Sequence, residues 1–455
     1  MQAILKYLQN QGYSTVDDGY YSYIRNWFAW YKGKVQKFHT YRQYNGMRRV
    51  CRERKSLGMA KKVAEDWANL ELNEKVTIAV DNKSLDEQLR NVLDQNNFWV
   101  RGNQLIEMAY ALGTGAIVEY LEKEEIKMDF IRAGMIYPLS WDNGEISECA
   151  FGSERTNGKQ KLVYLNIHRK NEAGNYVIEN KMFIRNKDVL TPTELPPDVE
   201  EVVQTNSSIK LFQIIKPNIA NNLEPDCPMG ISVFANAIDI LEGVDLVYDS
   251  YCNEFRLGKK RLIVPMTMAK VQMQEDGTIK PLFDDNDTEF FAYETGTGNN
   301  VEKAQTLQEI NMELRAEAHE QAIKTMLGLL SAKCGLGNDR FNFERGNLKT
   351  ATEVISDKSE LYQNLKKHEI ILEKSIKDMV RAIASLSNMK GDFKIEVNFD
   401  DSIIVDAEAE RQRFMQEIRD GLRQKYEYRV EYLGESEEEA KAKVQAEEIG
   451  FPGEE

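Results

Sequence analysis

Cysteine and histidine are scarce, and neither is clustered. The five cysteines (Cys51, Cys149, Cys227, Cys252 and Cys334) are odd in number and far apart, and no Cys-x-x-Cys occurs. That argues against a disulfide framework and against a zinc site of the usual spacing. Reduced, mostly buried thiols are expected instead. The four histidines, His39, His168, His319 and His368, are scattered, with no His-x-x-x-His pair. A surface or hydrogen-bonded structural role is the expectation for each. Long apolar runs are missing too. No stretch approaches the roughly 20 apolar residues that span a bilayer, and the best, 325–332, is far too short. No membrane partner is expected. The first ten residues are interrupted by Lys6 and Gln9 and do not read as a signal peptide.

Catalytic signatures are equally thin. A phosphate loop needs Gly-x4-Gly-Lys-Ser/Thr, so that backbone N–H groups wrap the phosphates. The nearest candidate, Gly152 to Gln160, is one residue too long and lacks the hydroxyl. Gly113-Thr-Gly115 opens like a dinucleotide loop but runs straight into a strand, so turn glycines are expected. Asp284-Asp-Asn-Asp287 resembles the start of a calcium loop, yet Glu289 stands where the sixth-position glycine belongs. A solvated acidic turn is expected there. No Gly-x-Ser-x-Gly elbow occurs. The expectation is a non-enzyme without cofactor or metal.

What the chain does have is length and an uneven charge. Its 455 residues suggest about three compact units at roughly 150 residues each. Its 42% hydrophobic content excludes disorder throughout. The formal net charge is −15, but residues 1–62 carry +10 and residues 401–455 carry −8. The basic head is also aromatic. Basic residues among aromatics suit single-stranded nucleic acid. Against that, Ile24, Trp27, Phe28 and Tyr31 have helical spacing, and a buried amphipathic stripe is the favoured reading.

Periodicity orders the rest. Met59, Val63, Trp67 and Leu70 mark a helix, 76–80 a strand, and 84–112 helix. Residues 113–225 alternate and carry hairpin signals at Asp142-Asn-Gly144, Asn157-Gly158 and Ala173-Gly-Asn175, which predicts antiparallel β structure. A long helix is expected over about 231–257, with Gly258 as its C-cap. Short strands over 262–302 include a turn at Asp276-Gly277. A second long helix is expected over 303–333, a loop over 335–349 and a third helix over 350–388. A strand at 393–399 and a charged helical tail complete the pattern.

Two long helices flanking a small β insertion project that insertion away from the body. Several stretches then carry a resemblance: Ser56 to Leu70, Asn73 to Val76, Ala111 to Glu119, Pro228 to Asn236, Glu254 to Val264 and Leu348 to Ser356. Their order and spacing resemble the portal proteins of long-tailed phages, over nearly the whole chain. The resemblance implies an α+β subunit of wing, stem, clip and crown. The wing would be 1–228 with the helix and strand 350–400, the stem 231–258 and 303–333, the clip 259–302, the tunnel loop 335–349 and the crown with its acidic tail 405–455. It implies a dodecameric ring at one capsid vertex of the virion, passing double-stranded DNA. Partners would be the terminase large subunit, a head-tail adaptor, and the major capsid and scaffold proteins.

On that reading Asp239, Asp245 and Asp249 would line the stem as acids that repel DNA. Arg340, Arg345 and Lys349 would guide it, with Asn338 and Asn342 as neutral phosphate contacts. Lys259, Lys260, Arg261 and Asp276 would serve partners at the clip. A related ring in a prophage-derived particle, or nucleic-acid binding through the basic head, remain open alternatives.

Overall fold

The computed structural model describes residues 2–44, 48–73, 76–158, 160–187, 189–258, 261–265, 271–273, 279–281, 289–293, 308–311, 313–338, 340–341, 351–389, 391–399, 414–421, 423–433 and 439–444. It is a mixed α+β subunit. The chain opens with helices α1 (Gln2–Asn10), α2 (Asp18–Tyr31) and α3 (Gln36–His39), then a hairpin of β1 (Thr40–Tyr44) and β2 (Arg49–Glu53). Asp17 caps α2 by accepting from the Gly19 N–H at 2.6 Å. Ile24 and Trp27 are buried and Phe28 and Tyr31 pack at the margin, so the head's aromatics do form a core-facing stripe.

Helix α4 (Met59–Glu71), β3 (Thr77–Val80), α5 (Lys83–Gln95) and α6 (Phe98–Leu112) follow. The single helical stretch expected over 84–112 is two helices. Asn97, at φ 50°, breaks it, a left-handed position that asparagine tolerates better than most residues.

The β region is antiparallel, as the turn signals require. Strands β4 (Gly115–Glu122) and β5 (Glu125–Arg132) lead into β6 (Ile136–Asp142), β7 (Glu145–Asn157), β8 (Gln160–Lys170), β9 (Tyr176–Asn186), β10 (Val189–Thr193), β11 (Val202–Gln204) and β12 (Phe212–Ile215). One sheet runs β10-β9-β8-β7-β6, with β11 also on β9, and a second runs β12-β4-β5.

A long helix α7 (Ile238–Leu257) follows, then the short strands β13 (Arg261–Pro265), β14 (Val271–Met273), β15 (Ile279–Pro281), β16 (Glu289–Tyr293) and β17 (Gln308–Ile310). Helix α8 (Ala316–Lys333) returns against α7. Helix α9 (Ala351–Leu386) and β18 (Ile395–Asn398) end the main body, with β18 antiparallel to β3. The tail is helical at 414–419, Lys425–Leu433 and 439–444.

Two helix boundaries need correction. The helix expected over 231–257 starts at Ile238. Ile231, Val233 and Phe234 are buried in non-helical chain, where the Val233 N–H bonds the Tyr110 carbonyl at 2.9 Å. The helix expected over 303–333 starts at Ala316, because Gln308–Ile310 is a strand paired to β13. Leu307, Ile310 and Leu314 have helical spacing, but pairing at a sheet edge overrides so short a signal.

One buried carboxylate sits in the β12-β4-β5 sheet. Glu119 on β4 is fully buried, and desolvation holds its pKa well above the usual carboxylate range. A raised folded-state pKa contributes stability below the ordinary value and loses it as pH rises through the folded one. Glu119→Gln does not titrate. The variant should therefore gain thermal stability over the wild type as pH rises above about 4.5, the two converging in more acid solution. Paired melting curves from pH 4 to 8 check this.

Candidate functional site

Helices α7 and α8 form a packed antiparallel pair whose far end carries the short strands. Gly243 on α7 lets the helices approach, since a Cβ there would lie 3.1 Å from the Met326 methyl. At the far end Glu254 takes a two-pronged ion pair from Arg315, with Nε 3.0 Å from Oε1 and Nη2 2.8 Å from Oε2. His319 adds a link, its Nε2 lying 3.1 Å from Ser250 Oγ. The Arg315 hydrogen bonds hold the Glu254 pKa down at about 2. A depressed carboxylate pKa contributes stability above its ordinary value and loses it as pH falls through the folded one. Arg315→Gln should therefore cost stability at neutral pH, with the deficit shrinking between about pH 4.5 and 2. Acid melts of the two proteins read this directly.

The middle of α7 is tied to the N-terminal arm. Asp245 Oδ2 lies 2.9 Å from His39 Nε2, and Oδ1 accepts the Leu57 N–H at 2.7 Å. Asp249 Oδ1 accepts the Lys55 N–H at 3.1 Å, and Oδ2 accepts from Asn253. The Val35 N–H donates to His39 Nδ1 at 2.9 Å, which leaves the ring proton on Nε2 to donate to Asp245. Both aspartates are buried. This corrects the expectation that Asp245 and Asp249 line a conduit: a carboxylate enclosed within its own subunit presents no charge to DNA. Asp239, in the first turn of α7, is exposed.

The turn after α8 is bolted down. Trp67 Nε1–H donates to the Cys334 carbonyl at 3.1 Å, and Asn364 Nδ2 donates to the Gly335 carbonyl at 3.1 Å. His368 packs edge-on against Trp67 and accepts the Asn218 N–H on Nδ1, and burial pushes its pKa down to about 3. Leu336 and Phe341 are buried. Of the loop residues singled out in the sequence, Asn338 is exposed. Arg340 Nε donates to Asp66 Oδ2 at 3.1 Å, while Lys62 holds Oδ1 at 2.7 Å. Asn342, Arg345 and Lys349 lie outside the described residues, as do Lys259, Lys260, Asp276 and residues 284–287. Arg261 opens β13.

The sequence reading missed Asp66, Trp67 and His39 as anchors. Only the Lys62–Asp66 spacing was legible, as an i,i+4 pair. Burial of the carboxylate, which makes it an anchor, was not.

Two of the motifs meet in space. Gly113 ends α6 at φ 87°, and a Cβ there would lie 2.1 Å from the Gly230 carbonyl oxygen. A Cβ on Gly230 would lie 2.4 Å from the Gly113 oxygen. Around them, the Gly230 N–H donates to Thr114 Oγ1 at 3.0 Å, and the Tyr20 hydroxyl donates to the Gly230 carbonyl at 2.7 Å. So 111–119 and 228–236 form one joint, where α7 departs from the body.

The family profile described as "Phage portal protein, SPP1 Gp6-like" matches residues 13–449. The chain belongs to this phage portal family. A phage portal protein is a structural part of the head-to-tail connector at a capsid vertex. Among solved structures a similar chain comes from the "Neck of empty GTA particle computed with C6 symmetry". Its TM-score is 0.38 and its identity 12%, over 82% of this chain and 87% of that one. No curated protein matches the chain. Among the described residues of this portal protein no helix is long and apolar enough to cross a membrane. All five cysteines are free thiols; Cys149 and Cys334 are buried, Cys227 and Cys252 half-buried and Cys51 exposed.

Proposed function

We propose that the chain is one subunit of a dodecameric ring at a capsid vertex, through which double-stranded DNA is packaged and later ejected. The observation that carries this reading is the family match over a helix–strand–helix excursion. Helices α7 and α8 act as the stem, and the strands between them, within 259–302 and at 308–310, as the clip. The body 1–228 with α9 and β18 forms the wing, and 405–455 the crown. The exposed apolar side chains Leu246 and Phe255 on α7, Leu329 on α8 and nearby Leu314 suit burial against neighbouring subunits.

The charge also suits a conduit. Duplex DNA carries one charge per about 1.7 Å of axis, and a uniformly basic wall would hold it by counterion release. A subunit of net charge −15 with Asp239 exposed on the stem keeps the duplex mobile. Asn338, and beyond it Asn342, Arg345 and Lys349, supply the few contacts that guide it. Arg340 serves first as a fastener of the loop. The terminase large subunit supplies the ATP-driven work and docks at the clip, near Lys259, Lys260, Arg261 and Asp276. A head-tail adaptor later takes that place, and capsid and scaffold proteins contact the wing.

The test is assembly of capsids with and without this protein, in the presence of terminase and ATP. Nuclease-protected DNA should appear only in capsids that contain it. Equal protection without it would overturn the proposal.

A further inference from the structure

The β1–β2 hairpin has two unlike faces. Cross-strand partners share a face and alternate along the ribbon. Tyr41 pairs with Arg52 and Gln43 with Val50 on one face; Arg42 pairs with Cys51, Tyr44 with Arg49 and, at the base, Thr40 with the exposed Glu53 on the other. The first face is partly covered, with Tyr41 and Val50 half-buried and Gln43 and Arg52 exposed. The Arg54 guanidinium lies 4.4 Å from the Phe38 ring centre and 4.8 Å from that of Tyr41, and Arg54 Nη1 donates to the Phe38 carbonyl. His39, Lys55 and Leu57, at the base of the ribbon, are pinned to Asp245 and Asp249. The second face is exposed at Arg42, Tyr44, Arg49 and Cys51. Arg42 and Arg49 make no ion pair among the described residues.

A two-stranded ribbon has little core of its own, and this one turns Arg42 and Arg49 to solvent. Its charge says what kind of surface it suits. Residues 40–55 carry six basic side chains and one acid, whereas residues 63–455 carry a net −25. We infer that the outer face of the hairpin, through Arg42 and Arg49, docks on the acidic body of an adjacent copy of the chain. This inference rests on the ring reading, which sets a second copy beside each subunit. DNA is the weaker fit. Arginines held on a moving duplex would each add counterion release and brake it.

The test uses the full-length protein with capsid and scaffold proteins present. Assembly mass is measured for the wild type, for the Arg42→Glu/Arg49→Glu variant and for Arg42→Lys/Arg49→Lys. In parallel, the exposed Cys51 carries a maleimide photocrosslinker, with and without duplex DNA. Charge reversal should weaken ring closure at least tenfold at physiological salt, the lysine variant should assemble, and Cys51 should crosslink between chains. Circular dichroism matching the wild type shows that the reversed protein is folded. A ring unchanged by charge reversal overturns the inference and leaves the ring reading standing. So do Cys51 adducts confined to one chain or made to DNA. A wild type that stays monomeric overturns both.

Discussion

Asp245→Ala should destabilise the subunit by about 4 kcal/mol and free the basic hairpin. The substitution strands two donors, the buried His39 Nε2–H and the half-buried Leu57 N–H. An orphaned buried donor costs roughly 1–3 kcal/mol, and little water reaches a residue 3% exposed. Asp245→Asn should recover only part of the loss. Its Nδ2 would face one of those two donors whichever way the amide is turned. The ring cannot escape by moving its proton, because the Val35 N–H already occupies Nδ1. Urea unfolding followed by the fluorescence of buried Trp27, Trp30 and Trp67 gives the magnitude. Tryptic cleavage after Arg49 and Arg52 should quicken at least tenfold, because Leu57 and His39 hold the ribbon's base. Unchanged cleavage would mean that Asp245 does not anchor the arm.

Gly230→Ala should be nearly as damaging for a different reason. The new Cβ would sit 2.4 Å from the Gly113 carbonyl oxygen, a backbone atom that cannot rotate away. Overpacking costs about 1–3 kcal/mol when side chains can yield, so about 3 kcal/mol or more is expected where they cannot. Gly113→Ala should cost more again, because its left-handed backbone adds about 1–2 kcal/mol for a residue with a Cβ. Both variants should shift the urea midpoint without changing the slope. A Gly230→Ala midpoint matching the wild type would show that the α6–α7 joint can open at no cost.

These two sites mark how far the sequence could be read. Hairpins were legible because Asn-Gly and Gly-Asn dipeptides dictate their own turns, and β6 through β9 follow them. Helices α4 and α9 were legible because each buries a long apolar stripe; α7 was legible by its spacing, though it buries Leu241 and Val244 and leaves Phe255 exposed. The motif glycines were legible as turns, but that Gly113 and Gly230 meet was not, because 117 positions separate them. The acids of α7 misled for the same reason. Asp239, Asp245 and Asp249 look alike as a polar helix face. Yet two of them accept hydrogen bonds from residues about 190 or more positions away, while the third stays in solvent. Nothing within α7 distinguishes them. The start of α8 failed because β17 is held by β13, a partner about 45 residues upstream.

This portal-family chain is expected to close into a ring with a passage at its centre. Light scattering with negative-stain microscopy of the purified protein, alone and with capsid and scaffold proteins, tests it most directly. The expected particle has about twelve 52.4 kDa chains and a stain-filled central hole. A protein that remained a single 52.4 kDa chain with those partners present would contradict it.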